Sequence, residues 1–131
     1  MDPGLPHPPA PRPSQADMWE RIGQLHAHHG EVPPEGRLLK LAEETGEAAA
    51  AYIGMTGMNS RKGICASRDD VLDELADVII TAAVAMAGIA SDSAAARRHF
   101  EQRLATVLGR AGIIAQETPA RRADEGGRVN S

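Results

Sequence analysis

The spacing of apolar positions divides the middle of the chain into four amphipathic segments joined by Gly- and Pro-rich turns, with no internal repeat. The first runs from about Gln15 to His29, with Ser14 as its cap and Met18, Ile22, Leu25 and His29 on one face. Gly30 and Pro33-Pro34 stop it. The second spans about Glu35 to Ile53, with Leu38, Leu41, Ala42, Thr45, Ala48, Ala49 and Tyr52 along its inner side and Gly54 and Gly57 closing it. The third opens at the capping-box pattern Ser67-Arg68-Asp69-Asp70 and continues to about Ile89. The fourth, from about Ser93 to Arg110, carries the stripe Phe100, Leu104, Val107 and Leu108, and Gly112 follows its end.

Four helices of this length predict an all-α four-helix bundle. Beyond Asp77 the third segment is apolar on nearly every side, from Val78 through Ala87, so it should be buried all round and pack against a second subunit as well as its own bundle. Burial across a subunit contact would help a bundle of about a hundred residues, which by itself removes only about two-thirds of its unfolded surface from water.

Composition supports the helical reading. The chain has 131 residues, 42% apolar but only 2% aromatic, so its core is built from Ala, Leu, Ile, Val and Met, which suits packed helices better than a sheet. Lys and Arg number 14 against 18 Asp and Glu, a net charge of −4 that argues against a nucleic-acid polymer as partner. Pro3, Pro6, Pro8, Pro9, Pro11 and Pro13 crowd residues 1–13, and residues 117–131 are polar without period. Both ends read as disordered flanks of one domain over residues 14–116. The start lacks the basic and apolar blocks of a signal peptide, and the longest apolar run, Val78 to Ala90, is too short for a membrane span. A cytoplasmic protein without a membrane partner is expected. Cys65 is the only cysteine and reads as incidental.

The acids fall in unusual places. Glu43, Glu44 and Glu47 lie on the second segment, and Asp73, Glu74 and Asp77 on the third. Residues i and i+3 share a helix face, so Glu44 with Glu47, and Glu74 with Asp77, form two pairs of neighbouring carboxylates. Asp69, Asp70 and Asp73 answer the macrodipole at the start of their helix. Glu74 has no such explanation: it stands between Val71 and Val78 in the stripe that should face the core. Glu44, between Leu41 and Ala48, lies at the edge of the buried side. Buried like charges need compensation, and oxygen-only ligands without a Cys, or a His one turn from an acid, suit Mg²⁺, with Mn²⁺ as the alternative. The absence of any Glu followed by His three places on argues against a di-iron bundle.

The sequence Glu43-Glu44-Thr45-Gly46-Glu47, followed after 26 residues by Glu74-Leu75-Ala76-Asp77, resembles the E-E-x-x-E … E-x-x-D pattern of the MazG-like nucleoside triphosphate pyrophosphohydrolases. The likeness covers about Leu38 to Ala87. It implies a helical homodimer or homotetramer that hydrolyses a nucleoside triphosphate to the monophosphate and pyrophosphate, with Glu44, Glu47, Glu74 and Asp77 holding Mg²⁺. One departure stands out. Many relatives carry Asn or Asp about two turns after the second motif, where this chain has Val78 to Met86 with only Thr81 polar.

In that chemistry a spare carboxylate, Glu47 or Glu43, takes the proton of the attacking water. The connection Met55 to Ser67 holds Arg61 and Lys62 and no acid. Its segment Asn59-Ser60-Arg61-Lys62-Gly63 is expected either to contact the β- and γ-phosphates beside the acid pairs or to be a solvated basic loop. Lys40, one turn before Glu44, reads as an ordinary i, i+4 partner. His26, His28 and His29 do not share a face and are not expected to bind metal, and Trp19 is expected in the core or an interface rather than stacked on a base. The alternative to an enzyme is a non-catalytic helical dimerisation or nucleotide- and metal-binding module, favoured by the missing polar residue after Asp77.

Overall fold

The computed structural model describes residues 15–113, so the predicted flanks at 1–13 and 117–131, and the exact limits of the domain between them, lie outside the described residues. It is all-helical, with no strand among those residues: α1 (Gln15–His29), α2 (Pro34–Thr56), α3 (Arg68–Ile89) and α4 (Ser93–Arg110). Three helices match their predicted limits. The second is longer than expected because Gly54 does not end it. Gly54 is helical and buried, and a Cβ there would lie 3.0 Å from Cys65 Sγ and 3.1 Å from Ala66 Cβ. Its missing side chain lets the loop fold back, and the Cys65 amide donates to the Gly54 carbonyl at 2.9 Å. The stop comes at Gly57, whose left-handed φ of 69° closes α2.

The caps of α3 and α4 are side-chain oxygens, as helix starts require. The Asp70 amide donates to Ser67 Oγ at 3.1 Å, and the Ser67 amide returns the bond to Asp70 Oδ2 at 2.7 Å, completing the expected capping box. Asp92 Oδ1 accepts from the Ala95 amide at 2.7 Å at the start of α4.

α2 lies along α3 and reaches α1 through the Arg37 side chain, whereas α1 and α4 pack on α3 and on each other. The dry core therefore sits at the C-terminal half of α3, where Ala83, Val84 and Ala87 meet Trp19 and Ile22 of α1 and Ala96 of α4. Trp19 is buried as expected, its ring centroid 5.7 Å from that of Phe100. Small residues on α3 let α1 and α4 approach closely, which suits a core poor in large side chains.

Three packing expectations need correction. In the single chain α3 is not buried all round: Ile79 is 60% exposed, and Ile80 and Ile89 are exposed too, because no described helix covers that side. The inner face of α2 is turned about one residue from the predicted stripe. Arg37, Leu41, Glu44, Ala48 and Ala51 face inward, while Leu38, Ala42, Thr45, Ala49 and Tyr52 are exposed. On α4 only the first turns reach the core, so Phe100, Leu104 and Val107 stay exposed.

Candidate metal centre

The turn of α2 about its axis moves Glu44 from the edge of the buried side to its middle. Its neighbours on that stripe are Leu41, Ala48 and Ala51, all at least partly buried. Glu44 is only 7% exposed, a burial that a carboxylate does not adopt without a compensating charge. On α3, Val71 is buried and Glu74 and Val78 are half-buried, so Glu74 does lie on the face turned to α2. Asp77, one turn on, is exposed beside it.

The two helices bring three acids together. One carboxylate oxygen from each of Glu44, Glu74 and Asp77 lies within 4.8 Å of the others. The compensation present is Lys40, whose Nζ is 2.7 Å from Glu44 Oε1 and 3.3 Å from Glu43 Oε2. The expected i, i+4 pair is thus real, and it is bifurcated. The hydrogen bond to Glu44, followed by that to Glu43, holds the Lys40 ammonium well above the usual lysine range.

Glu47 is exposed and stands at the flank of this cluster, outside the three convergent oxygens. Repulsion from Glu44, then partial loss of hydration and repulsion from Glu74, pushes its carboxyl above the ordinary glutamate value. It therefore holds a proton more readily than a free glutamate does. Glu43 is exposed and turned to Lys40.

The remaining predicted residues are not brought to the acids. Asn59, Arg61 and Lys62 lie in the loop beyond the end of α2, and the stretch from Glu47 to Thr56 alone separates them by roughly 13 Å of helix. Asn59 organises the loop itself, its Oδ1 accepting from the Arg61 amide at 3.1 Å and its carbonyl from the Lys62 and Gly63 amides. Among the described residues, neither Arg61 nor Lys62 is in an ion pair. The expectation that this loop sits beside the acid pairs does not hold within one chain, because the acids lie at mid-helix and the loop at the tip of the hairpin. His28 and His29 are exposed, and His26 turns to Arg37 instead of to any acid.

Sequence reasoning missed Arg37, which is 8% exposed. The signal was available: Arg37 lies two turns before Glu44 on the same stripe, with Lys40 between them.

The donor set fits a small hard cation. Three carboxylates converge from two rigid helices, and their oxygens need only small side-chain rotations to reach the roughly 3 to 4 Å separations of an octahedral magnesium shell, with water completing it. Such an ion would replace Lys40 as the compensating charge. Compared with protein-family models, curated proteins and solved structures, the chain matches none.

Proposed function

We propose that the protein is a Mg²⁺-dependent nucleoside triphosphate pyrophosphohydrolase of the MazG-like kind, with Mn²⁺ as a substitute ion. The observation that carries this reading is Glu44: a carboxylate buried between two helices and converging with Glu74 and Asp77, three like charges that one divalent cation would neutralise together. The order of acids along the chain, which resembles that family's paired motifs, supports it independently.

In this proposal Glu44, Glu74 and Asp77 hold the cation, with Glu47 at the rim. The bound ion supplies charge neutralisation for the phosphates and lowers the pKa of a water molecule. Glu47 is the base, because it lies one turn from Glu44 at the exposed side of the cluster and is not one of the three convergent ligands. It accepts the proton as the water oxygen bonds to the α-phosphorus, and the electron pair of the broken P–O bond leaves with pyrophosphate. Glu43, held by Lys40, is the less suited of the two candidates. Lys40, already beside Glu44, would be placed to meet the phosphates, the role first expected of Arg61 and Lys62 in the loop beyond α2.

Assembly as a homodimer or homotetramer belongs to the same proposal. The exposed apolar side chains Leu38, Tyr52, Leu72, Leu75 and Ile79 of α2 and α3 are its support, since a monomer gains nothing by leaving them in water.

Product analysis tests the activity. The pure protein is incubated with a panel of NTPs and dNTPs plus Mg²⁺, and pyrophosphate and orthophosphate are followed separately. Monophosphate with pyrophosphate is expected. No metal-dependent product from any member points to the non-catalytic module, and orthophosphate alone means that another bond is cleaved.

A further inference from the structure

Two cavities meet on the α2 stripe that leads away from the acids. The first, about 250 Å³, is walled by Lys40, Ile80, Thr81 and Arg37, and so begins at the lysine paired with Glu44. The second, about 310 Å³, is walled by Arg37, His26, Gly30 and Gly88. Arg37 and Val32 line both, so the two cavities adjoin as a trench along α2 towards the end of α1, with Lys40, the partner of Glu44, at its other end. Arg37 lies two helical turns, roughly 10 Å, from Glu44, a length that suits the nucleoside half of a nucleotide.

Arg37 is the unusual residue of that trench. Its guanidinium is buried, yet it has no carboxylate partner among the described residues. Nη2 reaches the Gly30 carbonyl and His26 Nδ1, each at a long 3.3 Å, and Nε is buried with no partner at all. These two long contacts use two of the five donors of a guanidinium and leave the burial of Nε unexplained. Beside it, a Cβ on Gly88 would lie 3.4 Å from His26 Cε1 and 3.6 Å from Arg37 Nε, so the glycine keeps the trench floor clear next to both polar groups.

We propose that this trench takes the nucleoside half of the triphosphate and that Arg37 is the specificity-determining residue for the base. The Nε/Nη2 edge of the guanidinium, once the two long Nη2 contacts give way, matches a base edge with two adjacent acceptors, as a 6-oxopurine offers with O6 and N7, and rejects adenine, whose N6 amino group is itself a donor. The inference rests on the reading of the acid cluster as the site of triphosphate cleavage, and goes beyond it by naming the substrate class.

The test uses the full chain. Binding of GMP, IMP and AMP is measured by calorimetry without metal, kcat/KM is measured for the matching triphosphates with Mg²⁺, and Mn²⁺ binding is followed by electron paramagnetic resonance. The oxopurine nucleotides should bind about tenfold or more tighter than AMP. Arg37→Lys, which keeps the charge and loses the fork, should abolish that preference with Mn²⁺ binding unchanged. Gly88→Ala, which leaves Arg37 in place, should weaken GMP binding and likewise spare Mn²⁺. Equal affinities for GMP and AMP, a pyrimidine preference, or a preference that survives Arg37→Lys overturns the role of Arg37 while intact Mn²⁺ binding and cleavage leave the cluster's function standing. Loss of Mn²⁺ binding and cleavage in the unaltered protein overturns both.

Discussion

The two halves of α3 are built from the same helix and do opposite things. On one side of its C-terminal half, Ala83, Val84 and Ala87 pack dry against α1 and α4, with Ala87 and the facing Ala96 of α4 wholly buried. Its N-terminal half lies along α2, and there the seam contains Glu44, Glu74 and Asp77. The helices packed on α3 explain the contrast. Against α1 and α4, small apolar residues exclude water; along α2 the seam keeps an open side, and ionised groups can stand at its edge while still leaning on one another. Acids in the first half would be untenable if moved one or two turns up, and the second half would lose its dryness if its neighbours were removed.

The largest effect is expected where the dry half is broken. Trp19→Ala removes the biggest buried side chain facing Ala83 and Val84 and its contact with Phe100, and should cost about 3–5 kcal/mol in denaturant unfolding. A change well under 1 kcal/mol would mean that α1 and α4 do not close that core. The seam should behave in the reverse sense. Glu74→Gln keeps the shape and removes a charge, so metal-dependent turnover should fall by about a hundredfold or more while the metal-free protein melts at the same temperature or higher. Turnover that survives at saturating Mg²⁺ would remove Glu74 from the ligand set.

A smaller effect is expected at the N-terminal end of α3. Ser67→Ala breaks the capping box and should cost about 1 kcal/mol, read as a melting temperature lowered by a few degrees. Backbone and side-chain hydrogen bonds from Ser67 hold the Asp70 carboxyl below its ordinary value. Its contribution is therefore complete above the unfolded aspartate pKa and is lost as pH falls through the lower folded value, and the acid limb of the stability curve should flatten in Asp70→Asn. Glu47 has the opposite sign. Its folded pKa is raised, so the metal-free protein should gain stability as pH falls through that raised range, a trend that Glu47→Gln or added salt removes. The smallest effect belongs to the exposed Arg97–Glu101 pair on α4, where Glu101→Gln should change stability by no more than about 0.5 kcal/mol.

Much of this was legible in the sequence, for reasons that differ from residue to residue. Ser67 with Asp70 marks the start of α3 because a capping box is a local hydrogen-bond pattern that needs no partner. The pairing of Glu74 with Asp77 was legible because i, i+3 spacing fixes a shared face. Gly54 was misread because a glycine's small size can serve a close approach as well as a stop, and only the fold shows Cys65 and Ala66 against it. The inner face of α2 was misread because apolar residues stand on both sides of that helix, and the side chosen by Leu38 and Tyr52 is not the one that α3 covers. The loop at Asn59 to Lys62 was misplaced because nearness in sequence to the motifs says nothing of distance along a straight helix.

Titrating the metal-free protein with Mn²⁺, and reading the free-ion signal by electron paramagnetic resonance for the wild type and for Glu44→Gln, addresses the seam most directly. The account predicts that the wild type removes the ion from solution and gains thermal stability as it does so, and that Glu44→Gln does neither. Equal free-ion signals for the two proteins across the titration would contradict it.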